Sequence, residues 1–141
     1  MQYKDQTFSP KIVIGAHAQL SDYVHIAATH HVEIGDNVLM GSKVMITDHN
    51  HGQYSGDLHS SPQIAPTMRP LDRNQRVVIG SNVWLGDGVV VTPGSSIGEG
   101  SVIGANSVVL GNIPPFTLAA GIPAAVRRVF EFDKAEWCRI L

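Results

Sequence analysis

Histidine is the side chain best suited to moving a proton near neutral pH, because its ordinary pKa lies in that range. This sequence has seven, and all of them precede Ser60. Such a one-sided distribution points to one region with a special task. His49 is the leading candidate for a general base. It ends the run Ile46-Thr47-Asp48-His49, where a regular segment gives way to an irregular one. A rigid scaffold can therefore hold it against open space. His51 is the runner-up. The two flank a single residue and could chelate a metal weakly, but no carboxylate-rich or thiolate set accompanies them. No metal is expected. His25, His30 and His31 lie one repeat earlier and could line a pocket for a second reactant. The single cysteine, Cys138, permits neither a disulfide nor a thiolate metal site within the chain. It reads as an inert, partly buried side chain. Arg69, Arg73 and Arg76 make one segment basic; they could grip an acidic ligand, or simply be solvated.

The elements that must position these residues follow from a period of six. Ile79, Leu85, Val91, Ile97, Ile103 and Val109 are spaced by six, and Gly follows four of them, as Gly80, Gly86, Gly98 and Gly104. The same phase holds at Ile14, Leu20 and Ile26, then resumes after a two-residue slip at Ile34, Met40 and Ile46. A second column carries Val83, Val89, Ser95, Ser101 and Ser107. Six is neither a helical period nor a simple alternation. It fits a short strand and a tight turn, with one aliphatic side chain pointing inward per strand. Gly, Asn or Asp supplies the turn, as in Gly35-Asp36-Asn37 and Gly104-Ala105-Asn106. Three units close a triangular coil, and one coil cannot bury its own apolar face, so coils must stack. The predicted fold is all-β, a parallel β-helix of about four coils, over residues 14–48 and 77–114. The charge pattern agrees: between Val77 and Val126 only Asp87 and Glu99 are charged.

Residues 49–76 read as an extended loop, rich in Gly, Ser and Pro. A loop of that length in a compact domain usually has a function. Residues 115–141 form a tail, in which Phe132, Trp137 and Leu141 suggest a short amphipathic C-terminal helix capping the stack. The whole chain, 1–141, is expected to be one domain. With 43% apolar and 16% charged residues and a net charge of −2, the chain is globular, and nothing suggests a nucleic-acid groove. No apolar run is long enough for membrane insertion. The start, Met1-Gln2-Tyr3-Lys4-Asp5, has no signal-peptide core, so a cytoplasmic location is expected.

Taken in order, several motifs resemble the hexapeptide-repeat acyltransferases. They are Ile34-Gly35-Asp36-Asn37-Val38, Ile46-Thr47-Asp48-His49, and Val78-Ile79-Gly80-Ser81-Asn82-Val83-Trp84-Leu85-Gly86. Ile113-Pro114-Pro115 and Ala120-Gly121-Ile122-Pro123-Ala124 complete the pattern. Within that family the chain is most similar to sugar O-acetyltransferases of surface-polysaccharide synthesis, with galactoside and maltose acetyltransferases as cousins. The resemblance implies a left-handed coil, a homotrimer with its active site between subunits, acetyl-CoA as donor and a saccharide acceptor. It implies that His49 is the catalytic base. It places Trp84 beside the CoA arm, Gly86 and Asp87 at the thioester, Gly104 and Ala105 along the pantetheine, and Arg127 and Arg128 at the nucleotide end. An arginine of the family pattern is replaced by Ala125. The family's acceptor-binding Asn and Asp have no clear counterparts, with Ser21 and Thr29 near those positions.

Three alternatives stay open at this level. The acceptor could be an amine, giving N-acetylation of an amino sugar. The scaffold could carry a metal site like that of the γ-class carbonic anhydrases, although no histidine follows His59. It could also be a non-catalytic trimeric scaffold.

Overall fold

The computed structural model describes residues 1–72 and 75–140; of the residues singled out above, Arg73 and Leu141 lie outside the described residues. Three sheets of parallel strands form the faces of a β-helix. The first face stacks Lys11–Ile14, His31–Ile34, Val77–Ile79, Ser96–Ile97 and Asn112–Ile113. The second stacks Gln19–Leu20, Leu39–Met40, Trp84–Leu85, Val102–Ile103 and Thr117–Gly121. The third stacks His25–Ala27, Met45–Thr47, Val90–Val91 and Val108–Val109. These strands make four complete coils and two faces of a fifth, against the expected four.

The six-residue period becomes three inward rows. Ile14, Ile34, Ile79, Ile97 and Ile113 are in register on the first face. Leu20, Met40, Leu85, Ile103 and Ala119 follow one another on the second. Ile26, Ile46, Val91 and Val109 line the third. From the second coil onward every one of these side chains is buried. In the first coil, which has a neighbour on one side only, Ile14 and Leu20 remain 46% and 42% exposed.

The turns divide their chemistry differently from the sequence reading. The glycine that directly follows each aliphatic residue does not need a positive φ. It is required because the coils come so close: a Cβ on Gly86 would lie 2.7 Å from the Ala105 backbone nitrogen. The left-handed position falls two residues later, at Asn37, Asn82 and Asn106, with φ of 55°, 59° and 57°. Asparagine tolerates that region better than most residues.

Two segments lie outside the coils. The loop leaves the second coil after Thr47 and, among its described residues, contains one 3₁₀ turn, Pro66–Met68. An N-terminal hairpin of Gln2–Tyr3 and Gln6–Thr7 straps it down. The Gln6 side chain accepts from the Leu71 N–H at 2.8 Å and donates to the Leu71 carbonyl at 3.0 Å, and the Tyr3 hydroxyl donates to the Thr67 carbonyl.

The expected C-terminal helix is not formed. Ala124–Glu131 is a strand that extends the second face antiparallel to Thr117–Gly121, and Glu136–Arg139 is a further strand antiparallel to Ala124–Glu131. The strand Thr117–Gly121 ends the parallel stack and would otherwise leave a row of backbone groups unpaired. Pairing them favours extended chain over helix. Ala135, at φ 53°, closes the turn between the two strands. The aromatic side chains counted as a helical stripe instead meet edge to face, Phe116–Phe132 and Phe130–Phe132 at 5.0 Å and Phe130–Trp137 at 5.3 Å.

Since the inward rows carry the stack, Ile79→Ala is expected to cost about 2–5 kcal/mol, the usual range for emptying a buried aliphatic site. Denaturant unfolding checks this; a loss under about 1 kcal/mol would mean that the column is loosely packed.

Candidate active site

His49 sits where the third face of the second coil ends. Its position is set by Asp48, whose side chain turns inward and is 1% exposed. The two-residue slip in the repeat explains what holds this buried charge. It lets three consecutive backbone N–H groups converge, Thr29 on Oδ1 and His30 and His31 on Oδ2, each at 2.8 Å. Successive amides of this kind form an anion-binding concavity. The Thr29 hydroxyl adds a bond of 3.3 Å. Burial pushes the Asp48 carboxyl upward, but the Thr29 amide, the His49 ring and the His30 and His31 amides outweigh it and hold the group below its ordinary value.

The ionised Asp48 then orients His49. His49 Nδ1 lies 3.0 Å from Asp48 Oδ1 and 3.3 Å from Thr47 Oγ1. A carboxylate only accepts, so this pairing puts the ring proton on Nδ1 and leaves Nε2 with a free lone pair. That is the tautomer a general base needs. His51 has no such support. It is exposed, and its Nδ1 approaches the Tyr3 hydroxyl at 3.3 Å.

A second group of the expected residues converges elsewhere. Trp84, Gly86, Asp87, Gly104 and Ala105 line one cleft of about 360 Å³, together with Leu118. The cleft follows a corner shared by the third and fourth coils. Trp84 stands outward, 52% exposed.

Side chains cap the turns in a ladder from coil to coil, through Asp36 and Ser81 at the corner after the first face and through Asp87 at the corner of this cleft. Asp36 Oδ1 accepts from the Ala16 N–H at 2.7 Å, Ser81 Oγ from the Asp36 N–H at 3.0 Å, and Asp87 Oδ1 from the Ser42 N–H at 2.8 Å. The Asp87 carboxylate is thus committed to the coil before it. The position stacked next to Asp87 is Ala105, which has no side-chain oxygen to offer. The Asp87 N–H therefore goes without this cap, in the wall of the Trp84 cleft.

Arg127 and Arg128 line a third region, a cleft of about 500 Å³ shared with Arg139. Arg139 was missed in the sequence because it lies in the segment read as a helix. The two clefts are connected by strand register. Trp84 pairs with Val102, Val102 with Leu118, Leu118 with Arg128, and Arg128 with Arg139. At about 4.8 Å per strand, this outward row carries Trp84 to Arg128 in roughly 14 Å.

The structure therefore unites the Trp84 group and links it to the arginines, but it does not bring His49 to them within one chain. His49 belongs to the corner after the third face, and the Trp84 cleft to the corner after the second. His31 pairs with Glu33 at 3.2 Å, and His25 lies on the third face opposite Met45. Among the described residues, no group of three or more His, Cys, Asp or Glu is disposed to hold a metal ion. No helix among the described residues is long and apolar enough to cross a membrane.

Comparison with known proteins adds a family. The family described as bacterial transferase hexapeptide (six repeats) matches residues 76–111. The chain is 49% identical over 127 residues to the Escherichia coli (strain K12) protein named "Putative lipopolysaccharide biosynthesis O-acetyl transferase WbbJ", covering 89% of this chain and 64% of that protein. It is 34% identical over 134 residues to the galactoside O-acetyltransferase of the same strain, covering 91% of this chain and 59% of that one. This chain belongs to the hexapeptide-repeat transferase family. It spans about three fifths of the length of these curated relatives. A solved family structure, a hexapeptide-repeat acetyltransferase from Vibrio cholerae O1 biovar eltor complexed with acetyl coenzyme A, superposes with a TM-score of 0.72 at 31% identity. The match covers 85% of this chain and 61% of that one.

Asp48 has its carboxyl pKa lowered on folding, so the folded state favours the ionised form. Its stabilising contribution is present above the ordinary aspartate value of about 3.9 and is lost as pH falls through the lower folded-state value. The melting temperature of the wild type is therefore expected to drop more steeply below about pH 4 than that of Asp48→Asn, which starts lower at neutral pH. Calorimetry across the acid range checks this, and parallel pH profiles for the two proteins would contradict it.

Proposed function

We propose that this chain transfers the acetyl group of acetyl-CoA to a sugar hydroxyl, with His49 as general base. The observation that carries the reading is the His49 ring, held through Nδ1 by a buried carboxylate so that Nε2 is free. In the proposed step Nε2 takes the proton of the acceptor hydroxyl as its oxygen attacks the thioester carbonyl. The C–S bond then breaks, and the proton leaves with the CoA thiolate. The products are an acetyl ester and CoA thiol, and His49 returns to its starting form.

The Asp87 N–H suits the developing oxyanion, since backbone donors fixed by a rigid turn need no reorganisation during the reaction. The outward row from Trp84 to Arg128 and Arg139 suits the long donor: an aromatic and aliphatic stretch for the pantetheine arm, then two cations for phosphates, with Arg127 in the same cleft. Gly104 and Ala105 keep the cleft shallow-walled, so the arm can lie close to the coil. The same family carries acetyl coenzyme A in the Vibrio cholerae structure, which supports the donor.

A homotrimer would complete the site. A cleft open along a coil edge cannot exclude water from a thioester. His49 and the Asp87 turn occupy different corners of one chain, so a neighbour's His49 facing this chain's Trp84 cleft resolves the separation. The third face supports such a contact, because Met45, Val90 and Val108 give its outer row an apolar surface. A cytoplasmic setting fits a reaction that consumes acetyl-CoA.

Thiol release from acetyl-CoA with a panel of sugars and amino sugars tests the function directly. His49→Ala is expected to lower turnover about 10²–10⁴-fold while CoA still binds. The same loss in His51→Ala but not in His49→Ala would exchange the two assignments. Ala105→Ser restores a hydroxyl to the capping ladder, so it is expected to occupy the Asp87 N–H and lower kcat about 10-fold or more. Mixed trimers of His49→Ala and Ala105→Ser chains are expected to recover part of the activity. No recovery, or a fully active monomer in sedimentation, would rule out the shared site.

A further inference from the structure

We infer that Gln6, on the N-terminal hairpin, is a positioning residue for the transfer. It fixes the returning segment of the loop, and through Asp72 that segment fixes the peptide that follows His49. The inference rests on the acetyl-transfer reading and deepens it.

The base of the loop is a pair of short antiparallel segments, with His51 opposite Leu71. The Gly52 N–H donates to the Pro70 carbonyl at 2.9 Å, and the Asp72 N–H to the Asn50 carbonyl at 3.2 Å. These two bonds flank the His51–Leu71 pair, so Leu71 turns its own N–H and carbonyl away from His51. Leu71 is 4% exposed, and backbone groups so far from water need a protein partner. Gln6 serves both. Its side-chain oxygen accepts from the Leu71 N–H at 2.8 Å, and its amide nitrogen donates to the Leu71 carbonyl at 3.0 Å. One side chain thus stands in for a third strand.

The hairpin register aims Gln6 at the loop. Tyr3 pairs with Gln6, and Gln2 with Thr7. Side chains alternate between the two faces of a strand. Tyr3 and Gln6 therefore share one face and are half-buried, while Gln2 and Thr7 are exposed on the other. The Tyr3 hydroxyl donates to the Thr67 carbonyl and lies 3.3 Å from His51 Nδ1, with the two rings edge to face at 5.6 Å. The hairpin thus grips the outgoing segment at His51 and the returning one at Thr67 and Leu71.

The path to His49 is short. Asp72 follows Leu71 and is 8% exposed. Its carboxylate accepts from the Asn50 backbone N–H at 2.6 Å and from Asn50 Nδ2 at 3.1 Å. These bonds set the plane of the peptide that joins His49 to Asn50. Asp48 holds the His49 ring from the coil side, and Gln6 and Asp72 hold its main chain from the loop side. Gln6 acts on where Nε2 stands, and a misplacement of about 1 Å can cost on the order of 100-fold in rate.

The test joins steady-state kinetics to hydrogen exchange followed by mass spectrometry, on wild type, Gln6→Ala and Gln2→Ala. Gln6→Ala is expected to lower kcat about tenfold at unchanged KM for acetyl-CoA, since the Trp84 cleft lies at another corner. Amides of residues 50–72 should exchange faster, while those of the coils at 77–113 keep wild-type protection. Gln2→Ala, on the outer face of the same hairpin, should match wild type in both measurements. Faster exchange at 50–72 with an unchanged kcat would overturn the positioning role and leave the acetyl-transfer reading intact. So would an equal loss of kcat in Gln2→Ala. Lost protection at 77–113 would make Gln6 a general stabiliser and overturn the role as well. Wild type that releases no thiol with any acceptor would instead sink the acetyl-transfer reading itself.

Discussion

Successive coils hydrogen-bond to one another on three faces, and at the corners their backbones approach so closely that no side chain fits between them. The contact between Gly86 and Ala105 expresses this limit. Everything outside the coils is built around it. An insertion must leave and return at a corner without disturbing the register of the next coil. The loop does so between Thr47 and Val77, and strand register resumes across it, Ile34 beside Ile79 and Met40 beside Leu85.

This rigidity lets a single buried carboxylate govern the loop entrance. Asp48 is fixed by amides from the preceding coil, and that coil cannot move without breaking the ladder. The orientation of His49 is therefore inherited from the stack, although His49 itself stands at the start of a loop. The loop is braced in the same manner, where Asp72 accepts from the Asn50 N–H at 2.6 Å and the Gly94 N–H donates to the Gln75 carbonyl at 3.0 Å. A concave surface made of loop residues gains the precision of the β-helix by being tied to it at both ends.

The stack itself was legible in the sequence because its period repeats at short range. Ile79, Leu85 and Val91 announce three faces within thirteen residues. The convergence of Trp84, Gly86, Asp87, Gly104 and Ala105 was legible through family resemblance, and residues eighteen apart stack one above another in such a fold. Other features depend on partners that no local pattern reveals. Asp48 reads as an ordinary turn residue until Thr29, His30 and His31 are seen around it, and the two-residue slip was the only trace of that cradle. The strand Glu136–Arg139 was misread because Phe132 and Trp137 fit a helical stripe as well as an edge-to-face cluster. What decides between these is the unpaired rim of Thr117–Gly121, and a rim appears only once the coils are assembled.

The reversal of direction at that rim has a consequence for self-association. A tower of parallel coils is in principle endless, since each storey offers the next a ready template on all three sides. Here one side is taken by Ala124–Glu131 running the opposite way, with Glu136–Arg139 beyond it. An incoming copy could match the other two sides only by abandoning this one, and a storey joined on two sides does not close. The hairpin that brings Arg128 and Arg139 together thus also acts as a terminator against fibril growth from this end.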